Sequence, residues 1–208
     1  MKTIVYVDGF NLYYGAVKGT PYKWLDVHKL CQLLLPKNQI AKIKYFTALV
    51  TARPNDVDQP NRQQIYLRAL RTIPNLEIIL GHFLEHEIMM PIANPIAGGQ
   101  KYIKVIKTEE KGSDVNIAAH LIHDGHQGLY KVAVVLSNDS DLVEPIKIVR
   151  QELKLPVIVL NPIPAHPSHE LQKNATFMKP IRKKVIAVSQ FPEQMRDGTG
   201  KFHKPPTW

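Results

Sequence analysis

Four aspartates carry the strongest chemical signal in the chain: Asp8, Asp114, Asp139 and Asp141. Asp8 closes a β-branched run, Lys-Thr-Ile-Val-Tyr-Val at 2–7. Asp139 and Asp141 follow a second apolar run, 131–136, inside Ser137-Asn138-Asp139-Ser140-Asp141. Ligands of parallel sheets bind beyond the carboxyl ends of the strands, so acids at two such ends stand where a ligand is handled. Asp114 opens a helix after Lys111-Gly112-Ser113, and at about 100° per residue it points into the stripe of Ile117, Ala118 and Leu121. A carboxylate on the core side is costly unless it is paired or bound to a cation. Several carboxylates at one point do not all stay ionised without such a cation. Oxygen donors suit Mg²⁺ or Mn²⁺ rather than zinc, and those ions assist attack of water on a phosphodiester.

Each acid also has a plainer reading. Asp114 is acceptable as an acid in a first helical turn with Ser113 as cap, which suits a solvent-facing carboxylate better than an inward one. Asp141 reads equally as a helix cap with Glu144 completing a capping box, but that accounts for one acid at the junction, not two. His120, His123 and His126 recur around one helix end and read as surface residues, since no cysteine set accompanies them. Gly98-Gly99 lacks the Gly-Lys-Ser/Thr of a phosphate-binding loop. No Gly-x-Ser-x-Gly occurs, and Cys31 falls in a helix of core character. A phosphoaspartate site at Asp8 lacks its second acid, because position 10 is Phe10.

The elements that must position these residues follow from periodicity. Strands are expected at 2–7, 40–50, 75–81, 130–137 and 156–160, and helices at 26–35, 59–72, 113–124 and 141–153. Alternation of this kind predicts parallel strands joined by crossover helices. Residues 82–108 are broken by Pro91, Pro95 and Gly98-Gly99, and their flanks, His82–Met90 and Lys101–Lys107, predict an inserted antiparallel hairpin. After about residue 182 the composition shifts to a basic, Pro- and Gly-containing tail, 183–208, which reads as a surface extension or as a segment docked on the domain 1–182.

Bulk composition sets the class. The chain has 208 residues, 44% hydrophobic and 22% charged, the balance of an ordinary globular protein. No apolar run reaches the roughly 18 residues of a membrane span, and the N-terminus lacks the layout of a signal peptide. A single cysteine excludes an intrachain disulfide, so a cytoplasmic location is expected. A net charge of +9 favours a polyanionic partner. Lys42, Lys44, Arg62, Arg68, Lys101, Lys104, Lys107 and above all Lys111 are the candidate contacts, each with a solvated face as its alternative.

Val7-Asp8-Gly9-Phe10-Asn11-Leu12, Lys111-Gly112-Ser113-Asp114-Val115 and Leu136-Ser137-Asn138-Asp139-Ser140-Asp141-Leu142 resemble, in order and spacing, the NYN family of PIN-like ribonucleases, and within it the LabA-like (DUF88) proteins. The resemblance covers roughly residues 1–180. It implies a PIN-like three-layer α/β/α sandwich with a central, mostly parallel sheet, and an Mg²⁺- or Mn²⁺-dependent endoribonuclease in which metal-activated water attacks phosphorus. Carried over by position, Asp8, Asp114, Asp139 and Asp141 would be the metal-binding catalytic acids. Asn11 would support substrate or metal, Lys111 would contact substrate, and Ser137 and Asn138 would shape the loop. RNA is then the expected partner, without a membrane. Homo-oligomerisation and a protein partner stay open. So do a DNA substrate and a non-catalytic RNA-binding or regulatory protein that keeps the acids.

Overall fold

A computed structural model describes residues 1–208. Its centre is a six-stranded sheet in the order β3-β2-β1-β6-β7-β8, built from β1 (Lys2–Asp8), β2 (Gln39–Thr47), β3 (Leu76–Leu80), β6 (Val132–Leu136), β7 (Val157–Asn161) and β8 (Phe177–Pro180). Every pairing within it is parallel. Strands buried on both faces need apolar residues at every position, and Ile4 through Val7 and Val132 through Leu136 meet that need.

Side-chain alternation sorts the core into two layers. Val5, Val7, Ile43, Val134 and Leu136 face α2 (Val27–Leu34) and α3 (Gln59–Arg71). Ile4, Tyr6, Ala133, Val135 and Val159 face α4 (Ser113–His126), α5 (Val143–Lys147) and α6 (His169–Asn174). Helices on both faces of a parallel sheet make the expected three-layer sandwich. No helix is long and apolar enough to cross a membrane.

The strand order reverses direction between β1 and β6. From β1 the chain builds outward through β2 and β3, and from β6 through β7 and β8 on the other side. Such a switch point leaves a crevice beyond the carboxyl ends of the two central strands. Those ends are Asp8 and Leu136, the latter leading directly into Ser137–Asp141.

The inserted segment is the antiparallel hairpin β4 (His82–Pro91) and β5 (Tyr102–Lys111), registered from His82 opposite Lys111 to Pro91 opposite Tyr102. Its outer end exposes Met89, Met90, Ile103 and Ile106. Its base returns to the sheet at Gly81, where a β-carbon would come within 2.6 Å of the Lys111 carbonyl oxygen and 2.5 Å of Glu110 Oε1.

The helix expected over 141–153 is present as one uninterrupted run, tightening to a 3₁₀ turn at its start (Ser140–Leu142) and widening after α5 to a π-type turn (Ile148–Glu152). One expectation needs revision. The segment after residue 182 does not stand apart from the core as a tail without a packed layer. It forms α7 (Lys183–Val188) and a hairpin of β9 (Gln194–Asp197) and β10 (Gly200–His203). Ile186, Phe191 and Phe202 are buried in the α2/α3 layer. Trp24 Nε1 donates to the Pro192 carbonyl at 2.8 Å, and Arg68 binds Asp197 through two hydrogen bonds of 2.7 and 2.8 Å. The docking residues are aromatics separated by Pro and Gly at irregular spacing, which neither period of regular structure reveals.

Candidate active site

Asp8 ends β1 and caps α1 (Gly9–Leu12), the turn of helix that follows at once. Its Oδ1 accepts from the Asn11 N–H at 2.9 Å, and its Oδ2 accepts from Ser137 Oγ at 3.0 Å. Gly9 permits this turn: a β-carbon there would meet the Phe46 carbonyl oxygen at 2.7 Å and the Tyr45 ring at 2.8 Å. Any larger residue would therefore push the helix, and Asp8 with it, off the sheet.

The loop after β6 is tied to the loop after β1 by backbone-directed bonds. The Asn138 N–H donates to Asn11 Oδ1 at 2.9 Å, and within the β6 loop the Asp139 N–H donates to Ser137 Oγ at 3.1 Å. Asn138 also spans to the next connection, donating from Nδ2 to the His166 carbonyl at 2.8 Å and accepting from the Ser168 N–H at 2.8 Å. Asp139 caps the 3₁₀ turn, its Oδ1 accepting from the Asp141 N–H at 3.0 Å. The capping role open to Asp141 in the sequence thus belongs to Asp139.

Asp114 arrives from the far side on α4. The residue before this helix is Gly112, at φ 100°, a left-handed position that glycine alone adopts without strain. Ser113 does not cap. Instead the Glu110 carboxylate accepts from the Ser113 N–H at 3.3 Å and from its hydroxyl at 2.9 Å. Ile117 and Leu121 are buried on the stripe that Asp114 begins, as the helical spacing required.

These pieces meet in one cavity of about 210 Å³ lined by Asp8, Glu110, Asp114 and Asp139, with Phe10, Asn11, Tyr14 and Ser113. Asp141 is exposed on the adjoining turn and outside that lining, yet its charge still acts on Asp114. Glu110 is the carboxylate the motifs did not single out; its signal was its place three residues before the helix start. Ser137 is fully buried and works by holding Asp8, while Lys111 is exposed and 3.3 Å from Glu109.

None of the ion pairs in the structure involves Asp8, Glu110, Asp114, Asp139 or Asp141. The acids therefore act on one another. Burial, then the charges of Asp8, Asp139, Glu110 and Asp141, push the Asp114 carboxyl up to about 6. Burial raises Asp8 as well, against the opposing hydrogen bonds from Asn11 and Ser137. As arranged, no three acid or histidine side chains close on a single ion. The donor chemistry nevertheless fits a hard divalent cation: oxygen ligands, shared lining, mutual repulsion and no internal counter-charge.

The other basic candidates are largely committed elsewhere. Lys42 pairs with Glu77, Arg62 with Asp56, Arg68 with Asp197, Lys104 with Glu87 and Lys107 with Glu109. Lys44 lies on no solvated face. It is buried on β2, 2.6 Å from Asp124 on α4 and 3.0 Å from His120 Nδ1. Tyr6 donates to the same Asp124 carboxylate at 2.8 Å.

The NYN domain family model matches residues 2–181. The chain belongs to the NYN domain family. NYN domains are part of the PIN-like superfamily, so the fold is of the nuclease type. Among curated relatives, this NYN protein is 31% identical over 186 residues to the 6-hydroxy-3-succinoylpyridine 3-monooxygenase of Pseudomonas putida. The match takes in 78% of this chain and spans 60% of the relative's length. Among solved structures it is similar to a Vibrio parahaemolyticus protein of unknown function, with a TM-score of 0.57 and 18% identity over 87% of this chain and 93% of that one. That likeness is one of fold alone.

Proposed function

We propose that the protein is an Mg²⁺- or Mn²⁺-dependent endoribonuclease. The observation that carries this reading is the convergence of carboxylates from β1, α4, the β6 loop and the β5 end on one cavity with no cationic side chain among them. Asp8, Asp114 and Asp139 would hold the cation, with Glu110 and Asp141 at its margin. A bound divalent ion would supply Lewis acidity toward a phosphoryl oxygen and lower the pKa of coordinated water.

The chain's own residues would do the remaining work. Asn11 and Ser137 fix the two oxygens of Asp8, and Asn138 locks the loops that carry Asp8 and Asp139 to each other. Lys111, exposed and next in the chain to Glu110, would meet a phosphate of the substrate strand, and the net charge of +9 would draw the polyanion in. RNA in place of DNA rests on family membership, since the acids themselves do not sense a 2′-hydroxyl.

The test is cleavage of single-stranded and structured RNA, with DNA as competitor, in Mg²⁺ or Mn²⁺. Asp114→Asn and Asp139→Asn should each reduce turnover at least about 100-fold with the fold intact, since each removes a charged group expected to act in the transition state. Undiminished cleavage in both variants would defeat the reading. The name of the Pseudomonas putida relative favours a second reading, a small heteroaromatic substrate in place of RNA. Under that reading, RNA would neither be cleaved nor compete for the site.

A further inference from the structure

A second and larger cavity, about 400 Å³, adjoins α1, whose residues also line the acid cavity. Phe10 and Tyr14 line both cavities, so the two border each other at these side chains. Tyr13, Tyr45, Tyr66 and Trp208 supply aromatic surface around the larger one. Trp208 comes from the docked segment beyond α7 and stands 5.3 Å, centroid to centroid, from Tyr66.

One face of α3 supplies polar groups. Gln59, Arg62, Gln63 and Tyr66 recur at spacings of three and four, so they point the same way, into the cavity. Gln63 is held by two bonds to the 48–50 loop, accepting from the Val50 N–H at 2.9 Å and donating to the Ala48 carbonyl at 2.8 Å. Arg62 is mostly buried and paired with Asp56, which also lines the cavity. Rigid rings and a few fixed donors and acceptors are the make-up of a ligand pocket.

We propose that this cavity receives one unpaired nucleobase of a single-stranded RNA whose neighbouring phosphodiester lies at the acid-lined cavity. The inference rests on the ribonuclease reading. Bases of single strands are recognised by stacking on aromatic side chains, with hydrogen bonds to the base edge, and a base stacked in a duplex is not available for this. The exposed Tyr14 and the half-buried Tyr13 provide ring faces, and the Gln59 and Arg62 side chains provide partners for a base edge. Phe10 and Tyr14 are common to both linings, and adjoining compartments suit a nucleotide whose base and phosphate occupy one each. A free heteroaromatic molecule shares the ring chemistry, but it has no phosphodiester to engage the acids.

The experiment measures fluorescence of 2-aminopurine with the full chain in EDTA, so that no cleavage occurs. Three probes are compared: a single-stranded RNA hexamer containing one 2-aminopurine, the same strand in a duplex, and the free riboside. The single strand should be quenched saturably. Tyr14→Ala and Trp208→Ala should each weaken its binding about tenfold, the range of one lost base stack. Tyr14 is 53% exposed, so its loss leaves the core intact, and circular dichroism melting checks both variants. Failure of the hexamer to bind, equal binding by both aromatic variants and the parent, or equal affinity for the free riboside would overturn the proposal. If RNA is not cleaved in Mg²⁺ or Mn²⁺ while the hexamer still binds, the nuclease reading falls and the base pocket stands.

Discussion

Helix α4 carries one acid near each end, and the two are treated in opposite ways. Asp124 is buried, and the protein neutralises it internally: Lys44 lies 2.6 Å away and the Tyr6 hydroxyl 2.8 Å away. The cost appears in the neighbours. Burial first, then the hydrogen bond and charge of Asp124, drives the Tyr6 phenol far above its ordinary range. Burial and the Lys44 ammonium lower His120. Asp114, ten residues earlier on the same helix, faces three more carboxylates and no ammonium. The fold can thus place a lysine against a buried carboxylate, and at the switch-point crevice it does not. A structural acid is balanced from within, and the acids of a ligand site leave the balance to what binds there.

The largest test of that contrast is Lys44→Ala. It leaves Asp124 buried without its counter-charge and should cost about 3–5 kcal/mol in urea unfolding. Replacing the pair together, Lys44→Met with Asp124→Leu, and Tyr6→Phe so that no buried hydroxyl is left without its acceptor, should recover most of the loss, because a buried ion pair and a well-packed apolar pair are of similar worth. A cost for Lys44→Ala below about 1 kcal/mol, the range of exposed pairs, would break the comparison.

Asp114→Asn should have the opposite sign. Without divalent ions it removes repulsion and should raise stability, by about 1 kcal/mol once solvent screening of a half-exposed group is allowed for. Asp124→Asn on the same helix should destabilise. Two isosteric changes with opposite signs would sharpen the contrast, and a shared sign would erase it.

The smallest effect is the pH dependence. The Asp114 carboxyl titrates near 6 in the folded chain and near its ordinary value of 3.8 unfolded. The folded state therefore binds the proton more tightly, and its contribution is complete below about pH 4 and lost as pH rises through 6. In EDTA, the Tm should fall by a few degrees between pH 5 and pH 7 by this route, and Asp114→Asn should flatten the change. With Mn²⁺ present the fall should be offset, since the ion competes with the proton for the same oxygens.

Much of this arrangement was legible in the residues. β-branched runs ending in acid marked β1 and β6, and the 100° step placed Asp114 on the inward side of α4. Their convergence needed the strand order, because the adjacency of β1 and β6 is a long-range pairing that no local pattern encodes. Glu110 carried only the weak local signal of its place before α4, since it reaches the site through the hairpin that returns at Gly81. The burial of Lys44 is not visible in its residue type, because β2 alternates about a sheet with helices on both faces, so a lysine there points into a core and not into water. The polar face of α3 was present in the three- and four-residue spacing of Gln59, Arg62, Gln63 and Tyr66. Its meaning depended on Trp208, which closes the cavity from a segment whose Pro- and Gly-spaced aromatics carry no period.

The most direct measurement is calorimetric titration of the metal-free protein with Mn²⁺ at pH 7, in the parent and in Asp114→Asn, Asp8→Asn and Asp124→Asn. Saturable binding in the parent, at least tenfold weaker in Asp114→Asn and Asp8→Asn and retained in Asp124→Asn, is the expected result. An affinity unchanged by Asp114→Asn and Asp8→Asn, or no binding by the parent, would contradict the claim that the crevice acids are left to an external cation.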